Sequence, residues 1–354
     1  MMVKNTVVIL GIDAFLRKNR YQLELLNERG FRFDVFTGEA LCNPSLHMQG
    51  LYALNNLFVL KRGFFARVLQ IYLYLRSCKN TIHHAEIYAT GRFSYFYVIL
   101  CKYFNIKFLV VERGDLQFLK SIPFFYRALI RRVYQLADVV WYKEPYMAGL
   151  LREIGVKNSS MIPNSVASPV IRCGEKKIDF LWVNRIIKER RFDWVMQYFL
   201  NCAFNAQVVA LGLLPKHVAQ LSKEAKDSLI RLKMSEKFQI FECIDPIEYY
   251  WMAKYFILPS RIVFGNHSLL EAMSYGVVPI VSKTEATNLI VQDGYNGIVF
   301  NHTFEDFALA LNRAWRLDEE NYSRLSAMAK KTICEKFSQS NWGDQVEFLY
   351  KTII

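Results

Sequence analysis

Short apolar runs rich in Val, Ile, Phe and Tyr alternate along most of the chain with longer segments whose apolar positions recur every three or four residues. A run apolar on both sides suits a strand covered on both faces, and a helical repeat suits the element that covers it, so the alternation predicts parallel sheets wrapped by helices. In the first half the predicted strands are 6–11, 32–36, 56–60, 85–90, 106–112 and 138–142, with helices at 15–29, 63–78, 93–104, 122–136 and 145–154. Segment 161–177 then gathers Pro163, Asn164, Pro169 and Gly174, which resist regular structure and mark a linker. Beyond it, strands at 178–183, 206–211, 238–242, 255–258, 277–281 and 297–300 alternate with helices near 191–203, 217–234, 247–254, 267–275, 285–291 and 304–317. Helices 321–337 and 341–352 follow the last strand. The expected fold class is α/β, with two doubly wound domains facing a central cleft. Ligands of such sheets bind beyond the carboxyl ends of the strands, so the chemistry is expected there.

Composition refines this picture in three ways. The 354 residues are 53% hydrophobic and 22% charged, enough for two domains with real cores. The seven cysteines show no paired metal-ligand spacing and read as reduced core residues of a cytoplasmic protein. The opening Met1-Met2-Val3-Lys4 lacks a long basic leader, so no secretion signal is expected. Nor is a spanning helix, because the apolar stretches 93–111 and 119–141 are broken by charges such as Lys102, Arg127 and Asp138.

The net charge of +13 is unevenly placed. Residues 1–170 hold 22 Lys/Arg against 11 Asp/Glu, while residues 171–354 hold 23 against 21. Within the basic half, 61–76 and 120–132 mix Lys and Arg with Phe, Tyr and Leu at helical spacing. Two readings stand: surface helices that seat on an anionic membrane, at the inner face of the cell membrane, or helices that cover a sheet with ordinary wet edges. Nucleic acid is not an expected partner, since no binding motif accompanies the charge.

The strongest chemical signal is 258–299. A strand ends at Leu258, a loop with Gly265, Asn266, His267 and Ser268 follows, and a helix begins near its end. Backbone N–H groups at a helix start bind phosphate oxygens well. Glu271 is expected in the first turn of that helix, where a carboxylate either complements the dipole or meets a ligand.

The order of the surrounding residues adds to this. Pro259-Ser260, Phe264-Gly265-Asn266, Leu270-Glu271-Ala272-Met273-Ser274, Gly276-Val277-Val278-Pro279-Ile280 and Asp293-Gly294-Tyr295-Asn296-Gly297 follow one another. This succession resembles the family 4 glycosyltransferases of the GT-B fold. Ile162-Pro163-Asn164-Ser165-Val166 is similar to the segment preceding that family's linker.

The resemblance implies two Rossmann-like domains: residues 1–165 for the acceptor, 166–335 for a nucleotide sugar, and a C-terminal helix in 336–354 crossing back to the first. It implies a retaining transfer from a nucleoside diphosphate-sugar to a glycan or lipid-linked acceptor, in cell-surface polysaccharide synthesis. No cofactor is implied, and no metal, since no Asp-x-Asp motif occurs. Glu271 would accept the ribose hydroxyls, and backbone groups of His267, Ser268, Leu269 and Leu270 would hold the diphosphate. Arg185 and Arg190 would clamp the departing diphosphate and serve as catalytic residues. Gly212 matches a family glycine after the second donor-domain strand, and Ile244 would lie near the base.

On the acceptor side, Gly11 follows the first strand and permits close backbone approach. Glu112 and Asp115 follow the fifth strand and are catalytic candidates, with an exposed turn of local ion pairs as the other reading. Lys188 and Arg191 also read as ordinary surface charge. One departure from the family matters most: Val263 occupies the position of a usual second Glu, and 249–270 holds no carboxylate. The alternative readings are a nucleotide-sugar epimerase, which can use the same two-domain architecture, and a non-catalytic sugar-nucleotide binder, which Val263 raises.

Overall fold

The computed structural model describes residues 5–12, 20–38, 54–88, 93–114, 116, 119, 122–169, 175–242 and 245–353. The chain divides into two compact units, Met1–Pro163 with Gln339–Ile354, and Asn164–Ser338. The sequence reading sets the divides at 165/166 and 335/336.

The first unit contains β1 (Thr6–Leu10), α1 (Arg20–Glu28), β2 (Arg32–Thr37), β3 (Leu54–Val59), α2 (Phe64–Cys78), β4 (Ile82–Tyr88), α3 (Ser94–Tyr103), β5 (Phe108–Val111), α4 (Phe124–Leu136), β6 (Val139–Tyr142), α5 (Met147–Glu153) and β7 (Ser159–Met161). The second contains β8 (Ile178–Val183), α6 (Phe192–Asn201), β9 (Val208–Leu211), α7 (Pro215–Val218), α8 (Lys223–Lys233), β10 (Phe238–Phe241), α9 (Ile247–Met252), β11 (Ala253–Leu258), α10 (His267–Ser274), β12 (Val278–Lys283), α11 (Thr287–Ile290), β13 (Ile298–Asn301), α12 (Phe304–Trp315) and α13 (Glu319–Lys336). The final helix, α14 (Gln339–Thr352), belongs to the first unit.

Among the described residues the first sheet runs β3-β2-β1-β4-β5-β6-β7 and the second β10-β9-β8-β11-β12-β13, and the pairings are parallel. Each order grows outward from its first strand and then reverses. The reversals, between β1 and β4 and between β8 and β11, are the topological switch points where such sheets take ligands.

Alternating residues explain why strands such as β1 and β11 carry apolar side chains on both faces. In β1, Val8 and Leu10 join the core beneath α2, α3 and α4, while Val7 and Ile9 join the one beneath α1 and α14. In β11, Tyr255 and Ile257 enter one core of the second unit, and Phe256 and Leu258 the other.

Helix α14 is held by Trp342, Val346, Leu349 and Tyr350, all buried, with Trp342 tilted on Trp141 at 5.8 Å. Its Tyr350 hydroxyl donates to the buried carboxylate of Glu86 on β4. Burial pushes the Glu86 carboxyl up to about 7, against the opposing pull of Tyr350, Arg113 and Lys143. A raised acid binds more protons folded than unfolded, so its stabilisation is present below the ordinary carboxylate pKa and is lost as pH rises toward 7. Glu86→Gln keeps an acceptor for Tyr350 and is expected to remove this slope. Denaturant unfolding between pH 4.5 and 7.5 checks it, and an identical slope in both proteins would exclude Glu86 as its source.

Two sequence expectations need correction here. The single helix predicted over 217–234 is two, because Ser222 accepts a hydrogen bond from Ala225 N and caps α8. Cysteines are not uniformly core: Cys101 is buried, but Cys334 is exposed.

Candidate active site

In the second unit, the loops after β8, β9 and β11 meet at the carboxyl end of the sheet. Asn266 caps α10, its Oδ1 accepting from Leu269 N at 3.0 Å. Its Nδ2 donates to Asn184 Oδ1, in the loop after β8, at 3.2 Å. That bond spans the switch point. The Asn184 Nδ2 group is buried and has no acceptor among the described residues, which leaves a donor available to a ligand. Gly212, after β9, has φ +96°, and a Cβ there would run into the Asn184 carbonyl. Asn164 Nδ2 supports the same loop by donating to Gly265 O at 2.9 Å.

Glu271 lies in the second turn of α10, not the first, because Asn266 starts the helix at His267. Tyr250 of α9 donates its hydroxyl to Glu271 Oε2 at 2.9 Å. Burial raises the Glu271 carboxyl above its ordinary value; the Tyr250 hydrogen bond lowers it, and nearby Asp245 raises it. The first-turn dipole reading of Glu271 therefore loses its basis.

The four backbone groups expected to hold a diphosphate are not equivalent. Leu269 N is engaged by the Asn266 cap and Leu270 N by Asn266 O at 3.2 Å, so those two are corrected away from that role. His267 and Ser268 open the helix at its solvent-facing start, with His267 exposed and Ser268 half-buried.

Arg185 is exposed after β8 and has no hydrogen bond or ion pair to another described residue. Arg190 differs, since its Nη1 donates to Ser260 Oγ and Ile262 O, each at 3.0 Å. It braces the loop after β11. Arg191 adopts φ 51°, pairs with Asp193 at 2.7 Å and stacks on Trp194, which fits the surface reading of that residue. Val263 is fully buried among Val166, Leu269 and Phe337, so an apolar residue suits this position.

In the first unit Gly11 has φ +81°, and a Cβ would lie 3.0 Å from Tyr88 O, across its own switch point. Glu112 is fully buried. Its Oε1 accepts from Gly114 N at 2.6 Å and Leu116 N at 3.2 Å, and Oε2 accepts from the Tyr134 hydroxyl. The exposed-turn reading is thus wrong, and a proton-transfer role is disfavoured, because both oxygens hold the loop. Asp115 and Ile244 lie outside the described residues. Tyr250 and the Asn184 side chain were not anticipated as site residues, and Asn266 was read as part of the loop without its capping role, for which an Asn at the start of a helix was the available signal.

Among the described residues no group of three or more His, Cys, Asp or Glu side chains is placed to hold a metal ion. A cavity of about 620 Å³ lined by Thr284, Gln292, Asn301, Leu309 and Arg313 shares no residue with the site above.

Residues 168–332 match the family described as Glycosyl transferases group 1, the family 4 class. No curated protein sequence matches the chain. Among solved structures it is similar to a glycosyltransferase from Rickettsia africae, at 13% identity, TM-score 0.77, covering 99% of this chain and 98% of that one. It is also similar to HepE (Alr3699) of Anabaena in complex with UDP and glucose, at 10% identity, TM-score 0.77, covering 98% and 99%. A third likeness is to sucrose-phosphate synthase of Thermosynechococcus elongatus, at 14% identity, TM-score 0.73, covering 98% of each. At such identities these likenesses are of fold. The fold is GT-B, and residues 168–332 of the second unit carry the glycosyl transferases group 1 match, so the protein is a glycosyltransferase.

Proposed function

We propose that the chain transfers a hexose-type sugar, with retention at the anomeric carbon, to a hydroxyl of a glycan or lipid-linked carrier in cell-surface polysaccharide synthesis, at the inner face of a cell membrane. The observation that supports it most is the Asn184–Asn266 bond at the β8/β11 switch point, with an unanswered Asn184 donor, an exposed Arg185 and Glu271 one turn along α10. Glu271 receives the ribose hydroxyls, for which an ionised carboxylate offers several lone pairs. Arg185, the start of α10 and the Asn184 amide answer the diphosphate. Arg190 holds the 260–262 loop in place beside them.

In the reaction, the bond between the anomeric carbon and the β-phosphate oxygen breaks as the acceptor oxygen bonds on the same face. The acceptor's proton passes to the leaving phosphate oxygen. Positive charge near that oxygen stabilises the departing diphosphate. Acceptor binding is assigned to the first unit, with Gly11 and the Glu112-braced loop as its candidate residues.

This reading makes donor binding pH-dependent. Glu271 must be ionised, and its pKa is raised, so binding is expected to weaken with acidification at a higher pH than an ordinary carboxylate would give. Tyr250→Phe removes the hydrogen bond that lowers this pKa, so the acid limb moves further up. Donor Kd against pH measures it; an unmoved limb would detach Tyr250 from the site.

The function itself is tested by a panel of nucleotide sugars and acceptors read by product mass and anomeric configuration. Transfer with retention is expected. Interconversion of the donor without acceptor would establish an epimerase, and binding without turnover a non-catalytic binder.

A further inference from the structure

Helices α2, α3 and α4 lie side by side over one face of the first sheet, joined by contacts such as Phe64 on Phe96 at 4.6 Å and Tyr72 on Tyr103 at 6.2 Å. Their inward sides are accounted for by the core they cover. Their outward sides are not what water selects. Phe65 is 83% exposed, Phe124 81%, Tyr103 71% and Phe125 69%. Leu69 and Leu73 follow Phe65 at four-residue steps, so the three form one apolar stripe along α2.

Charge on the same helices is one-sided. Across Phe64–Cys78, Ser94–Tyr103 and Phe124–Leu136 stand Arg67, Arg76, Lys102, Arg127, Arg131 and Arg132, and not one Asp or Glu. The other face of the sheet differs: α1 carries Glu24 and Glu28, and α14 carries Asp344 and Glu347. An ordinary solvated helix mixes both signs, whereas protruding aromatic rings among cations only fit an anionic apolar boundary.

The fold also orients this surface. In a parallel α/β unit each helix begins at the carboxyl end of the strand before it, so Phe65 and the Phe124-Phe125 pair stand at the same end of the sheet as Gly11 and the loop after β5.

We propose that the outer face of α2, α3 and α4 is a docking surface for an anionic lipid bilayer, with the rings of Phe65, Phe124 and Phe125 entering the headgroup boundary and the exposed Arg76, Arg131 and Arg132 meeting lipid phosphates. It deepens the reading of a lipid-linked acceptor by giving the acceptor-side unit its seat. No described helix is long and apolar enough to cross a membrane, so attachment through this face is peripheral and reversible.

The test is co-sedimentation of the full chain with phosphatidylcholine vesicles, with and without about one-third phosphatidylglycerol. Wild type is expected to bind the anionic vesicles at least about tenfold more tightly than the neutral ones, and to be released by 0.5 M salt, where the Debye length falls to about 4 Å. The variant Phe65→Ser/Phe124→Ser/Phe125→Ser alters only exposed positions and is expected to lose about tenfold of that binding while binding nucleotide as wild type does. Failure of wild type to bind anionic vesicles would overturn the proposal, as would equal binding by the variant. Nucleotide binding, read separately, keeps a failure of this surface distinct from a failure of the transferase reading.

Discussion

Glu271→Ala is expected to weaken binding of the nucleotide-sugar donor about 100-fold, the loss of two hydrogen bonds to a charged acceptor. The effect is expected in donor Kd and in kcat/KM alike, because the ribose contact is made before and during transfer. Stability should change far less, since the Glu271 side chain meets the protein mainly through the Tyr250 hydroxyl. Calorimetric titration with the donor, paired with thermal unfolding, separates the two. An unchanged Kd would remove Glu271 from the site.

Gly212→Ala is expected to be nearly as damaging, by a different route. At φ +96° an L-residue is strained, and the new Cβ would overlap the Asn184 carbonyl, with the carbonyl carbon at 3.0 Å. Backbone strain and overpacking together should destabilise the second unit by about 3 kcal/mol. Relief requires the loop after β8 to move, which carries Asn184 and Arg185 away from Asn266. Denaturant unfolding and donor Kd should therefore both worsen, whereas unfolding of wild-type character with normal Kd would show that this close approach is dispensable.

The alternation of apolar strands and amphipathic helices was legible because both faces of each sheet are covered, so strands such as β1 are buried at every position. β7 escaped that logic. It is a short edge strand, Ser159–Met161, with polar and exposed residues, paired only to β6, and its sequence reads as the start of a linker. The donor loop was legible for a similar local reason: Asn266, Glu271 and Gly276 all act within one helix and its ends.

What the sequence hid is what comes from far along the chain. Tyr250 reaches Glu271 from another helix, and Tyr134 reaches Glu112 across 22 residues to turn a supposed exposed carboxylate into a buried brace. Arg190 keeps the charge that its spacing suggested, but Ser260 and Ile262, some 70 residues on, decide where that charge points. Val263 is the clearest case. As a departure from a motif it reads as a loss, while its burial beside Leu269 and Phe337 makes it part of the core that holds α10.

The central claim is that Glu271 reads the ribose of the donor, and a chemical cycle tests it most directly. The tightest binder among UDP, GDP and ADP is titrated into wild type and Glu271→Ala, alongside its 2′,3′-dideoxy analogue. The predicted result is that removing the hydroxyls costs wild type about 100-fold in Kd and costs the variant almost nothing, because the two changes delete one interaction. An equal loss in both proteins would place the ribose elsewhere and contradict the account.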